Sequence, residues 1–214
     1  MSPATRKFTL TAHVVSSIGW FGALMVFLAH SIASLISGDP NLVRSVCIAM
    51  ALTAWFVILP LSLASLLTGV VQALGTAWGL VRHYWVIAKL LLTAFATGIL
   101  LLKLSPISDL AGAAGQASFS STSLADLKLS LLVHSVGGLV VLLVISVLAI
   151  YKPAGLTPFA SRGEASAGVA AAKFGPLPAW LRISLIFAIS LALALALLVL
   201  HGGHGPAMHS SRGM

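Results

Sequence analysis

Polar residues are so sparse along this chain that its pattern is a series of long apolar runs cut by short breaks. Five runs carry no acidic residue and are filled mainly by Leu, Ala, Val and Ile: Phe8–Ser37, Val46–Ala73, Trp85–Leu104, Leu129–Tyr151 and Trp180–Leu200. Crossing roughly 30 Å of hydrocarbon takes about 20 helical residues at about 1.5 Å each, and every run is long enough. Inside a bilayer no water satisfies the backbone, so each N–H and C=O needs a partner within the segment and the runs are predicted to be α-helices. A transmembrane barrel would show shorter strands alternating polar and apolar residues, a pattern this sequence lacks. The predicted fold class is all-α, a polytopic membrane helix bundle with about five transmembrane helices.

The breaks carry turn residues. Gly38-Asp39-Pro40-Asn41 ends the first helix, and Gly75 and Gly79 bracket a tight link into the third. The Ser-, Ala- and Gly-rich stretch Ser105–Asp126 reads as a short mobile loop, and Lys152–Pro178 as another, with Pro153, Pro158, Pro176 and Pro178. The expected organisation is a four-helix transmembrane bundle over 8–153, a cytoplasmic loop over 154–178, a fifth transmembrane helix over 179–200 and a His-rich extracytoplasmic tail over 201–214. Pro60 is expected to kink the second helix. Gly19 with Ala23, Ala192 with Ala196, and Gly137-Gly138 offer thin faces for close helix packing. The first run follows Arg6 and Lys7 but is about twice the length of a signal-peptide core, so it reads as a retained helix.

Composition sharpens this picture. Of 214 residues, 59% are apolar and 7% charged, with a mean hydropathy of +1.08, whereas soluble domains carry roughly 25% charged residues. Too few charges remain to clothe a soluble surface. The 12 Lys and Arg against 4 Asp and Glu give a formal charge of +8. These basic residues are scattered singly between apolar runs, which suits anionic lipid headgroups and not nucleic acid. With a cytoplasmic N-terminus, eight basic residues (Arg6, Lys7, Arg82, Lys89, Lys152, Arg162, Lys173, Arg182) fall inside and four (Arg44, Lys103, Lys128, Arg212) outside. That bias, with Trp78, Tyr84, Trp85, Tyr151 and Trp180 at the inner headgroups, predicts a bacterial inner-membrane protein with its N-terminus inside and its C-terminus outside. Cys47 is the single cysteine, which excludes an intrachain disulfide and any Cys-based metal cluster.

Candidate chemistry rests on seven histidines. No carboxylate lies inside a span, so paired-carboxylate catalysis and Asp/Glu proton relays have no candidates. The sequence also holds no Gly-rich phosphate loop, HExxH or CxxC, and the expectation leans away from an enzyme. His30 and His134 lie at matched depth near the outer ends of the first and fourth helices, about 10 Å inside their boundaries, an arrangement that would suit a haem iron held by two imidazoles. His13 and Lys89 are matched near the inner face, with His83 at the interface. The alternative for each histidine is a hydrogen bond to a nearby carbonyl or to interfacial water. Lys89, as an intramembrane cation, is either a functional group or a snorkelling anchor; with Arg82 and Trp85 at i, i+3, i+7 it suits a lipid phosphate. The tail places His201, His204, Met208 and His209 within nine residues, a weak Cu or Zn site or a solvated end.

Two resemblances follow from particular motifs. The segments His13-Val14-Val15-Ser16-Ser17-Ile18-Gly19-Trp20-Phe21-Gly22-Ala23 and Gly75 through Leu90, with Tyr151-Lys152-Pro153, resemble a group of bacterial integral membrane proteins of unknown function that is common in actinobacteria. The likeness covers about residues 8–153 and brings no activity with it. A fainter one runs to the four-helix membrane proteins that include haem-binding protoporphyrinogen oxidase and the copper-resistance D proteins. There too a histidine precedes a tryptophan by seven positions, as His13 precedes Trp20, and a Lys-Leu pair opens the third helix, as Lys89-Leu90 does. That resemblance implies His13 as a ligand of haem b and Lys89 as its companion. This chain departs from the pattern by lacking an arginine late in the first helix and a histidine closing the third, where Leu101, Leu102 and Lys103 stand. The functional expectation is a small membrane bundle that binds lipid, protein partners, a second copy of itself or a cofactor; the alternatives are a b-haem redox protein and a copper-handling protein.

Overall fold

The computed structural model describes residues 1–75, 80–116, 124–152 and 157. They form four helices: α1 (Pro3–Ile36), α2 (Pro40–Gly75), α3 (Tyr84–Gly115) and α4 (Ala125–Tyr151). Each is long and apolar enough to cross a membrane. The expected fifth helix over 179–200 and the tail with His201, His204, Met208 and His209 lie outside the described residues, as does the 154–178 loop apart from Thr157.

Successive helices run antiparallel. Met1 meets Gly75 and Gln72 meets Thr9 at one end of the bundle, whereas Arg44 meets Gln116 at the other. We call these the N-terminal end and the far end. Each helix packs on its two sequence neighbours, with α4 closing back onto α1, and among the described residues the backbones do not approach within 8 Å across either diagonal. Four helices around an open square leave a central space, and the site described below lies there.

The helix starts are chemically explicit. Ser2 caps α1 through its hydroxyl and the Thr5 N–H, and the Asp39 carboxylate accepts the Asn41 N–H at 2.9 Å with Pro40 opening α2. The Gly38–Asn41 stretch is therefore both a turn and a cap, and α2 begins six residues before the expected Val46. Within α2, Ala54–Ile58 form a π turn in which the Leu59 N–H reaches back to the Ala54 carbonyl. Pro60 follows at once. Its ring crowds the carbonyl four residues earlier and supplies no N–H, so the ladder widens just ahead of it.

The largest correction concerns Ser105–Asp126, expected as a loop. The helix continues past Pro106 to Gly115, and α4 starts at Ala125. Leu104, Ile107, Leu110 and Ala114 recur at helical spacing and are buried in one cluster with Val43, Cys47 and Met50 of α2. At about 48 Å, α3 outruns the hydrocarbon, so its last turns lie where burial from water is favourable. Fully burying Leu or Ile stabilises by about 1.5–3 kcal/mol each, which together outweighs the roughly 3 kcal/mol cost of an interior proline. The Arg44 guanidinium then donates to the Gln116 carbonyl at 2.8 Å and closes the helix end.

Small residues admit close approach where the sequence placed them. A Cβ built on Gly138 would stand 2.9 Å from Leu24 Cδ2, and one on Gly19 would stand 3.1 Å from Leu61 Cδ1.

Candidate functional site

At the centre of the square lies a half-enclosed cavity of about 70 Å³ to which all four helices contribute. Trp20, Leu24 and Phe27 come from α1, Ile58 from the π turn of α2, Phe95 and Ile99 from α3, and Val141 from α4. Lys103 and His134 supply its polarity. The wall is otherwise almost wholly apolar; Trp20 adds an indole N–H, and Ser135 on it already donates to the Leu132 carbonyl.

His134 is 8% exposed, and its Nδ1 lies 2.6 Å from the Ser130 carbonyl oxygen. A carbonyl only accepts, so Nδ1 carries the proton and the neutral ring keeps its lone pair on Nε2. That Nε2 is buried and has no hydrogen-bond partner among the described residues. A buried acceptor left unsatisfied costs about 1–3 kcal/mol. Beside it, Lys103 Nζ donates to Ser130 Oγ at 3.2 Å. An ammonium has three N–H donors, so further acceptors can be met here. The result is an imidazole of fixed tautomer and a cationic donor, both side chains lining one small apolar cavity.

A second polar centre joins α1 to α2 near the N-terminal end. His13 Nδ1 donates to the Ser65 carbonyl at 3.0 Å, with Thr68 Oγ1 at 3.2 Å, and the ring lies over Gly69, where a Cβ would stand 3.1 Å from Cε1. Ser17 Oγ bonds Ser65 Oγ at 2.7 Å, and Gln72 Nε2 donates to the Thr9 carbonyl at 3.0 Å. Thr9, His13 and Ser17 recur every four residues and face Ser65, Thr68 and Gln72. This seam joins the helices as interhelical hydrogen bonds do in membranes. Two turns along α1, Trp20 belongs to the central cavity instead.

Among the described residues His30 Nδ1 is buried without a partner, but His30 does not line the cavity that His134 lines. Lys89 Nζ sits 5.9 Å from the Trp85 ring centroid, a cation–π pair one turn apart. Because α3 begins at Tyr84, Arg82 precedes the helix, and Arg82, Trp85 and Lys89 do not share one helical face as expected. The Arg82 carbonyl accepts the Thr157 N–H at 2.9 Å, and the Thr157 hydroxyl donates to the Val81 carbonyl. His83 packs against Trp85, their ring centroids 6.3 Å apart. Among the described residues, no three His, Cys, Asp or Glu side chains gather as a metal site.

Neither Lys103 nor Ser130 was expected as a site residue from the sequence, where Lys103 stands as an outer charge at the end of the third run. A signal was present: Ser130 stands one helical turn before His134. No protein-family model, curated protein or solved structure matches the chain.

Proposed function

We propose that this chain is a multi-pass protein of the bacterial plasma membrane whose bundle receives the polar end of a small membrane-soluble molecule in the cavity at His134. One observation carries the reading: a buried histidine, its Nε2 without a partner among the described residues, on a cavity that all four helices build. A water-filled site of that size would hold about two waters. The apolar wall around the two polar groups suits an amphiphile better, since its apolar part also meets partners. The inside count of eight basic residues against four outside supports an N-terminal end in the cytoplasm and a far end outside.

Photolabelling tests the binding. An alkyl diazirine in proteoliposomes is expected to label Phe95 and Ile99 at the cavity beyond the background at lipid-facing Leu91 and Leu102, and Gly138→Leu is expected to suppress only the cavity label. Equal labelling of both sets, unchanged by Gly138→Leu, would contradict the proposal. For orientation, Gly38 is exposed at the far end and Cys47 is buried. A membrane-impermeant maleimide should therefore label Gly38→Cys in intact cells and leave the unsubstituted protein unlabelled; the reverse orientation would hide Gly38→Cys.

A further inference from the structure

We infer that the cavity takes a single-chain amphiphile ending in a carboxylic acid, its head seated between Lys103 and His134. This rests on the binding reading above and names its ligand class.

The two polar groups ask for complementary chemistry. With Nδ1 committed to the Ser130 carbonyl, His134 Nε2 requires a donor, whereas the Lys103 ammonium requires an acceptor and attracts negative charge. A carboxyl group supplies both from one carbon. When the acid holds its proton, O–H donates to Nε2 and C=O accepts from Lys103. When the ring holds it, the carboxylate accepts from both Nε2–H and Nζ. No position of the proton leaves a buried group unsatisfied, and the ionised arrangement gains charge-assisted bonds.

Size and depth agree. Room for about two water-sized groups admits a carboxyl head and excludes a phosphodiester with its substituents. Lys103 stands about 28 Å along α3 from its N-terminal end, near the far boundary of the hydrocarbon. Phe95 and Val141 line the deeper wall. The polar pair thus lies on the far-end side of Phe95 and Val141, with apolar Ile107 and Leu131 about one turn beyond it. An acyl chain entering from the bilayer would keep its head at interfacial level and lay its tail on the half-enclosed apolar side.

The experiment is competition for the cavity photolabel in proteoliposomes of phosphatidylcholine, using hexadecanoic acid, hexadecanol and dioleoyl phosphatidic acid. Hexadecanoic acid is expected to displace the label at concentrations about tenfold or more below hexadecanol, the ratio expected for a hydrogen bond to a charged group. Lys103→Gln and His134→Phe should each erase that preference while keeping the label from the headless alkyl probe, which shows the cavity intact. If acid and alcohol compete equally while the cavity label persists, the acid assignment fails and the binding reading stands. Phosphatidic acid competing as well as hexadecanoic acid also overturns the assignment, because the head would then be recognised as a phosphate. Absence of any cavity label in the unsubstituted protein overturns the binding reading and the assignment with it.

Discussion

His134 and Ser130 are joined by a 2.6 Å hydrogen bond from the imidazole Nδ1 to the backbone carbonyl one turn earlier on α4. Because the acceptor is backbone, the ring tautomer does not depend on the serine side chain. The Ser130 hydroxyl has a different task, holding Lys103 Nζ. One residue therefore orients both polar groups of the cavity, through two different atoms. Outer partners of this kind commonly set the orientation and tautomer of a functional imidazole.

The first prediction follows directly. In ¹⁵N-labelled protein, His134 should show a protonated Nδ1 and a bare Nε2. Ser130→Ala should leave that tautomer unchanged while releasing Lys103. A protonated Nε2 with a bare Nδ1 would be inconsistent with the described bond.

Glycine spacing offers a paired test. A Cβ on Gly138 would meet Leu24 Cδ2 at 2.9 Å, whereas one on Gly98 meets nothing within 4 Å. Gly138→Ala should destabilise the bundle by about 1 kcal/mol, the low end of the cost of overpacking, because the atom it meets is the end of the Leu24 side chain and can give way. Gly98→Ala should be neutral or slightly stabilising. Detergent-micelle unfolding of the two variants, side by side, measures the difference; equal effects would deny that α1 and α4 pack at this point.

The seam between α1 and α2 predicts a coupling. A double-mutant cycle on Ser17→Ala and Ser65→Ala should return about 0.6 kcal/mol, and no more than about 1.7, as interhelical hydrogen bonds in membranes do. Zero coupling in that cycle would mean the hydroxyls, 2.7 Å apart here, do not interact in the folded protein.

Leu110 tests the extension of α3. It is fully buried beyond the last residue expected of that helix. Leu110→Ala should cost about 2–5 kcal/mol, as truncation of a core leucine does. In a mobile surface loop the same change would stay within about 0.5 kcal/mol.

These cases show which parts of the structure were legible in the sequence. Four of the expected spans appear as helices, because a bilayer demands runs of apolar residues that nothing else in the chain imitates. Helix ends were harder. Asp39-Pro40 serves equally as a turn and as a helix start, and the Ser, Gly and Pro of 105–115 hide the stripe of Ile107, Leu110 and Ala114. Partnerships were hardest of all. Lipid-facing and core-facing positions are both apolar here, so residue type does not encode how each helix is rotated. His134 could be singled out as an intramembrane histidine. That Lys103 shares its cavity, and that His30 does not line it, depends on the rotation and register of packed helices.

The most direct test follows the His134 Nε2 resonance while hexadecanoic acid is titrated into the protein in nanodiscs. The account predicts a saturable shift of that nitrogen as it gains a proton donor, lost in the Gly138→Leu protein. A resonance that stays fixed through saturating acid, in protein shown to be folded, would contradict it.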